Sequence, residues 1–116
     1  MPVVRDADRL SADALTAELR RLTALAREGT LPVAHRTGGT FTLNNRGVFE
    51  VEGATAILPH PQAAMLGVGR IPDRPWVVDG RVEVRKVVQL SLTFDHRVCD
   101  GGTAAGFLRH VVGRVT

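Results

Sequence analysis

One cysteine, one lysine, no tyrosine and no long apolar run set the first limits on this chain. A lone Cys99 excludes a disulfide framework and a zinc site built on several cysteines. No stretch reaches the roughly 18 apolar residues that a membrane-spanning helix needs. The opening residues, "MPVVRDADRLSAD", lack the apolar centre of a signal peptide. These absences fit a cytoplasmic protein. Aromatic residues make up only 4% of the chain, and the arginines are scattered from Arg5 to Arg114 without a dense block. A nucleic-acid surface needs a basic patch, usually with interleaved aromatics, so the net charge of +3 reads instead as a solvated, arginine-rich exterior.

What is present is enough to fold. Hydrophobic residues are 44% and charged residues 23% of the sequence, which places it among globular chains and not disordered ones. At 116 residues it is one domain at most, with length for a single core. The segment "SADALTAELRRLTALAREG" sets Leu15, Leu19, Leu22 and Ala26 at helical spacing, with Leu25 beside them. Ser11 can cap its start and Gly29 can close its end. Residues 32–39 read as a loop. "GTFTLNNRG" then predicts a short strand running into a turn, and residues 48–58 a further extended or irregular stretch. The apolar run over residues 63–68, flanked by proline and glycine, predicts a buried strand. Asp79-Gly80 between two β-branched runs predicts a tight hairpin. Alternation from Val87 puts Leu90, Leu92, Phe94 and His96 on one strand face and Ser91, Thr93, Asp95 and Arg97 on the other. Asp100 can cap a last helix that buries Ala104, Phe107, Leu108, Val111 and Val115. Helix, strands, helix is an α+β order with a mixed or mostly antiparallel sheet.

The stretch "LTFDHRVCDGGTAAGF" carries the chemistry, if any is present. A lone histidine at a strand end is commonly satisfied by a backbone carbonyl, and Asp100-Gly101-Gly102 also reads as a turn followed by a helix cap. The functional reading makes His96 a general base, a role suited to imidazole near neutral pH. A carboxylate a few residues on then fixes the loop through an arginine, and glycine after it admits close backbone approach. His35, His60 and His110 have no ligand-like spacing, so no metal site is expected.

"SLTFDHRVCDGGTAAGFL" resembles the C-terminal signature of the dihydrolipoamide acyltransferases, the core components of 2-oxo acid dehydrogenase complexes. "PVVRDADRLSADALTAELRRLTALAREGTL", "GGTFTLNNRGVFEVEGATAILPHPQAAMLGVGRI" and "RPWVVDGRVEVRKVVQLSLTFDHRVCDG" resemble the same family in the same order. The resemblance implies a chloramphenicol-acetyltransferase-like fold. It also implies an enzyme moving an acyl group between a dihydrolipoyl arm and coenzyme A without a covalent acyl-enzyme. His96 matches the family's general base and Asp100 its organising aspartate, while Arg97 is classed as structural. The family's oxyanion hydroxyl, a serine or threonine, aligns with Asn44, whose amide can still donate a hydrogen bond. No residue is assigned to cofactor binding. The lipoyl group would sit on a separate domain.

The family's catalytic domain is about twice this length. Residues 1–116 therefore match its C-terminal half, with lipoyl and subunit-binding domains absent. Because the other half supplies much of the substrate channel, the resemblance does not by itself carry activity to this chain alone. Implied partners are coenzyme A, a lipoyl domain, other subunits of a 2-oxo acid dehydrogenase complex and further copies in a trimer-based core. Neither nucleic acid nor membrane is expected. The rival reading is a catalytically impaired scaffold of such a core, favoured by Asn44 and opposed by His96 and Asp100. A peptide-synthesis condensation domain fits poorly, since that family doubles the histidine and here Phe94-Asp95 precede it.

Overall fold

The computed structural model describes residues 1–47 and 56–116. Most of the stretch read as extended or irregular over residues 48–58 thus lies outside the described residues. The length suggested a single core, but the chain gathers into two compact units, Met1–Thr40 and Phe41–Thr116.

The first unit is built on helix α1, Ala12–Arg27. Ser11 starts it as expected: its backbone is extended and its hydroxyl accepts from the Ala14 N–H. Gly29, at φ +73°, lets the chain leave the helix in the left-handed region. The buried stripe is narrower than the periodicity predicts. Leu22 is fully buried and Leu15 and Leu25 half-buried, whereas Leu19 is 45% exposed and Ala26 is exposed. Residues 32–39 are a loop containing one 3-10 turn, Val33–His35. Arg5 ties the N-terminal segment to this loop by donating to the Ala34 and Thr37 carbonyls, and His35 Nδ1 donates to the Val3 carbonyl.

Among the described residues the second unit holds five strands and one helix. Strands β1 (Thr42–Asn45), β2 (Ala64–Val68) and β5 (Leu90–Phe94) form a mixed sheet in the order β1-β2-β5. β1 runs parallel to β2, and β5 antiparallel to it. The apolar run in β2 is the centre of this sheet, and Met65 and Leu66 are buried as predicted. Strands β3 (Asp73–Val78) and β4 (Arg81–Lys86) make a separate hairpin. Its turn is Asp79-Gly80, with φ +51° and +76°, the doubly positive pair that a right-twisted two-residue hairpin demands.

Register gives this hairpin two unlike faces. Pro75 opposes Val84 and Val77 opposes Val82 on one side, closed at the root by a 3.1 Å ion pair between Asp73 and Lys86. Arg74, Trp76, Arg81, Glu83 and Arg85 occupy the other. The apolar side is uncovered: Val82 is 72% and Val84 75% exposed. Helix α2, Gly101–Val115, begins at the predicted cap Asp100. Its expected buried face is corrected in part. Ala104 is buried and Leu108 and Val111 half-buried, but Phe107 is 43% exposed and Val115 lies in solvent. Phe107 leans instead on the ring of Phe41, centroid to centroid 5.8 Å.

Candidate active site

β5 hands the chain to a tight turn that presents His96. The last ladder bond runs from the Asp95 N–H to the Ala63 carbonyl at 2.7 Å, fixing where the strand stops. Beyond it, the Asp95 carbonyl accepts from the N–H groups of Val98 and Cys99. The Asp95 carboxylate folds back over the same turn. Oδ1 accepts from the Arg97 N–H at 2.9 Å and from Arg97 Nε at 3.0 Å, and Oδ2 accepts from Arg97 Nη2 at 2.8 Å. His96 sits between these two residues, exposed, with its ring 5.6 Å from that of Phe94 and tilted 37°. Asp95 therefore holds the turn by backbone and side chain together. Hydrogen bonds from the Arg97 side chain and from its backbone N–H keep the carboxyl well below the usual range, at about 2.

The expectation that Asp100 engages the arginine is corrected here. Asp100 Oδ1 accepts from the Thr103 N–H at 2.8 Å and caps α2, a bond that also lowers its pKa. The arginine's partner is Asp95, one residue before the histidine. A signal for it was visible as Asp-His-Arg at a strand end, where an (i, i+2) carboxylate–guanidinium pair can close a turn. The expected close approach at Gly101 is also not seen, since nothing lies within 4 Å of the position its side chain would take. Cys99 is half-buried and free. Among the described residues no three His, Cys, Asp or Glu side chains gather as a metal set.

Asn44 lies elsewhere on the sheet. It is half-buried on β1, in register with Gly67 on β2, which in turn is in register with Ser91 on β5. Directly paired residues share a sheet face, so Asn44 belongs to the face of Ser91, and Phe94 to the opposite one. Ser91 and Phe94 are three positions apart on β5, about 10 Å along the strand, and two strand spacings add roughly 10 Å across the sheet. His96 lies beyond Phe94 and packs on it. Within one chain, the fold brings His96 and Asp100 to a single turn and leaves Asn44 apart from both.

The chain shares its fold with solved structures of dihydrolipoamide acetyltransferases. A probable dihydrolipoamide acetyltransferase from Listeria monocytogenes superposes with a TM-score of 0.89 at 42% identity, over 93% of this chain and 46% of its own. The dihydrolipoamide acetyltransferase of Azotobacter vinelandii, studied for the role of a serine, a histidine and an asparagine in its mechanism, gives 0.86 at 35%, over 95% and 45%. All of residues 1–116 match the family of 2-oxoacid dehydrogenases acyltransferase (catalytic domain), and the chain belongs to it. Among curated relatives, the succinyltransferase component of the 2-oxoglutarate dehydrogenase complex from Bartonella vinsonii subsp. berkhoffii is 45% identical over 96% of this chain and 27% of its own length. The acetyltransferase component of the pyruvate dehydrogenase complex from Zymomonas mobilis is 39% identical over 96% and 26%. The chain thus spans about a quarter of the curated relatives it matches.

Proposed function

We propose that this segment is the C-terminal half of an acyltransferase catalytic domain that moves an acyl group between a dihydrolipoyl arm and coenzyme A. One observation carries the reading. The Asp95–Asp100 turn holds an exposed imidazole on a rigid mount, anchored on one side by Asp95 and Arg97 and on the other by the cap of α2. In the Azotobacter enzyme, the asparagine follows the histidine by the same number of residues as Asp100 follows His96. The serine there precedes the histidine by the same interval as Asn44 precedes His96.

His96 takes the proton from the attacking thiol and returns it to the departing sulfur. Asp100 and Arg97 act as positioning residues through the turn. Asn44 donates to the thioester oxygen in a site shared with another copy, a reading supported by the register that sets Asn44 apart from the His96 turn within one chain. The uncovered apolar side of the β3–β4 hairpin fits such an assembly in the cytoplasm, with a lipoyl domain and the other subunits of a 2-oxo acid dehydrogenase complex as partners. A second reading, a scaffold with impaired catalysis, rests on the replacement of the usual hydroxyl by Asn44.

Thioester exchange separates the two. The full-length protein that carries this segment is assayed with acetyl- or succinyl-coenzyme A and dihydrolipoamide. It should turn over, and His96→Ala should lower kcat about 10²–10⁴-fold, the usual worth of a positioned base, with little change in KM. A rate that survives His96→Ala leaves the scaffold reading.

A further inference from the structure

The imidazole of His96 is mounted through its backbone and not through its charged neighbours. The Asp95 carboxylate is taken by Arg97, and the Asp100 carboxylate by the Thr103 N–H. What the ring itself meets, among the described residues, is the ring of Phe94, at 5.6 Å between centroids and 37° between planes. That separation lies in the range where aromatic pairs attract, roughly 4.5–7 Å. The contact follows from the strand. Phe94 is the last residue of β5, and the Asp95 N–H carries the ladder one step further by donating to the Ala63 carbonyl. Extended backbone returns every second side chain to one face, so position 96 emerges beside position 94. Across the ladder Phe94 is paired with Ala64, whose side chain is a single methyl. The half-buried phenyl ring therefore has little bulk to meet across the sheet, and its aromatic partner lies along the strand, at His96.

We propose that Phe94 is a positioning residue for the general base, a flat shelf on the sheet side of the imidazole. This rests on the acyl-transfer reading above. An exposed histidine can turn about two side-chain bonds, and each rotamer aims its nitrogens differently. A base works only within hydrogen-bond reach of the proton it removes, about 2.6–3.2 Å between heavy atoms. The Asp95–Arg97 clasp fixes where the His96 backbone leaves the sheet, but it does not choose the rotamer. The Phe94 ring does, because an imidazole resting on it keeps one orientation. Phenylalanine suits the task. It has two rotatable side-chain bonds, its backbone is held in the ladder and its ring is half-buried, so the shelf is itself fixed. A branched aliphatic side chain fills similar space without offering a plane. Phe94 takes no part in the proton transfer and touches neither sulfur.

The test uses the full-length protein that carries this segment and the same exchange assay, with Phe94→Leu and Phe94→Tyr. Leucine keeps apolar bulk and removes the plane, whereas tyrosine keeps the plane. Phe94→Leu should lower kcat about 3–10-fold, the worth of one aromatic pair, with KM and melting temperature close to the parent. Phe94→Tyr should stay within about twofold of the parent. The ring contact has its own signature. The carbon-bound protons of the His96 imidazole, assigned by their loss in His96→Ala, should show an aromatic ring-current displacement by NMR. That displacement should vanish in Phe94→Leu and persist in Phe94→Tyr. The proposal is overturned if Phe94→Leu keeps the parent kcat within about twofold while His96→Ala is inactive. It is equally overturned if the two Phe94 variants slow alike, if the leucine variant slows only as folded protein is lost, or if its His96 protons keep their displacement. A parent without exchange activity, or one indifferent to His96→Ala, removes the acyl-transfer reading itself, and the positioning role of Phe94 with it.

Discussion

Arg97 clasps the carboxylate of Asp95 at both oxygens, and His96 is the residue between them. The pair also uses the Arg97 backbone N–H, so the clasp closes the turn from inside as well as outside. An exposed guanidinium–carboxylate pair adds little to global stability. Its effect is local, in fixing the direction from which the imidazole leaves the sheet.

The Asp95 carboxyl has its pKa lowered to about 2 by Arg97, so the sign of its pH dependence is defined. A group lowered on folding contributes stability above the ordinary carboxylate range and loses it as pH falls through the lowered value. Carboxyl NMR titration should find the Asp95 midpoint near 2, and Arg97→Ala should move it up toward the ordinary range. Arg97→Ala should also slow thioester exchange, by loosening His96 and not by removing a group that touches substrate. A midpoint indifferent to Arg97→Ala would show that the clasp does not persist in solution.

Asp100 contributes through the helix it starts. Replacing it with alanine leaves the Thr103 N–H without its cap and should lower the melting temperature. Asp100→Asn should retain most of that stability, since an amide oxygen caps as well as a carboxylate. It should retain activity too, given the asparagine at this spacing in the Azotobacter enzyme. If Asp100→Asn instead abolishes exchange while the protein melts like the parent, the carboxylate charge itself serves the chemistry.

Much of this architecture was legible in the sequence because the signals are local. Ser11 and Asp100 announce helix starts through their own side chains, Asp79-Gly80 announces a hairpin through the dihedrals it tolerates, and the apolar run in β2 announces burial. What escaped depends on partners distant in the chain or on choices between equivalent partners. Nothing in "TLNN" says that it runs parallel to "AMLGV", more than 20 residues on. Periodicity marks Leu19, Phe107 and Val115 as apolar, but it cannot say whether anything covers them. Arg97 had carboxylates on both sides, and spacing alone did not choose Asp95 over Asp100. Asn44 was identified by resemblance to an aligned hydroxyl, and only the register showed it to lie away from His96.

That separation gives the most discriminating prediction. If His96 and Asn44 served one site within a chain, each chain would need both. The register instead sets Asn44 and Phe94 on opposite faces and apart along the sheet, with His96 beyond Phe94. The proposed site therefore takes the imidazole from one copy and the amide from another. Asn44→Ala in the full-length protein that carries this segment should lower kcat about 10²–10³-fold, the usual worth of one oxyanion donor, with the melting temperature little changed. His96→Ala should be nearly inactive. Unfolding the two variants together and refolding them as mixed assemblies should then restore activity, because some sites pair the intact His96 of the Asn44→Ala chain with the intact Asn44 of the His96→Ala chain. In a random two-copy site about a quarter of the pairings are of this kind, so recovery should approach a quarter of the parent rate. Refolding each variant alone should recover nothing. Mixed assemblies, verified by differential mass labelling, whose activity equals the average of the two separate variants would place both residues in sites built from one chain, or remove Asn44 from the site altogether. A melting temperature lowered by Asn44→Ala, with the rate per folded molecule intact, would select the second of these and leave Asn44 as a structural residue of β1.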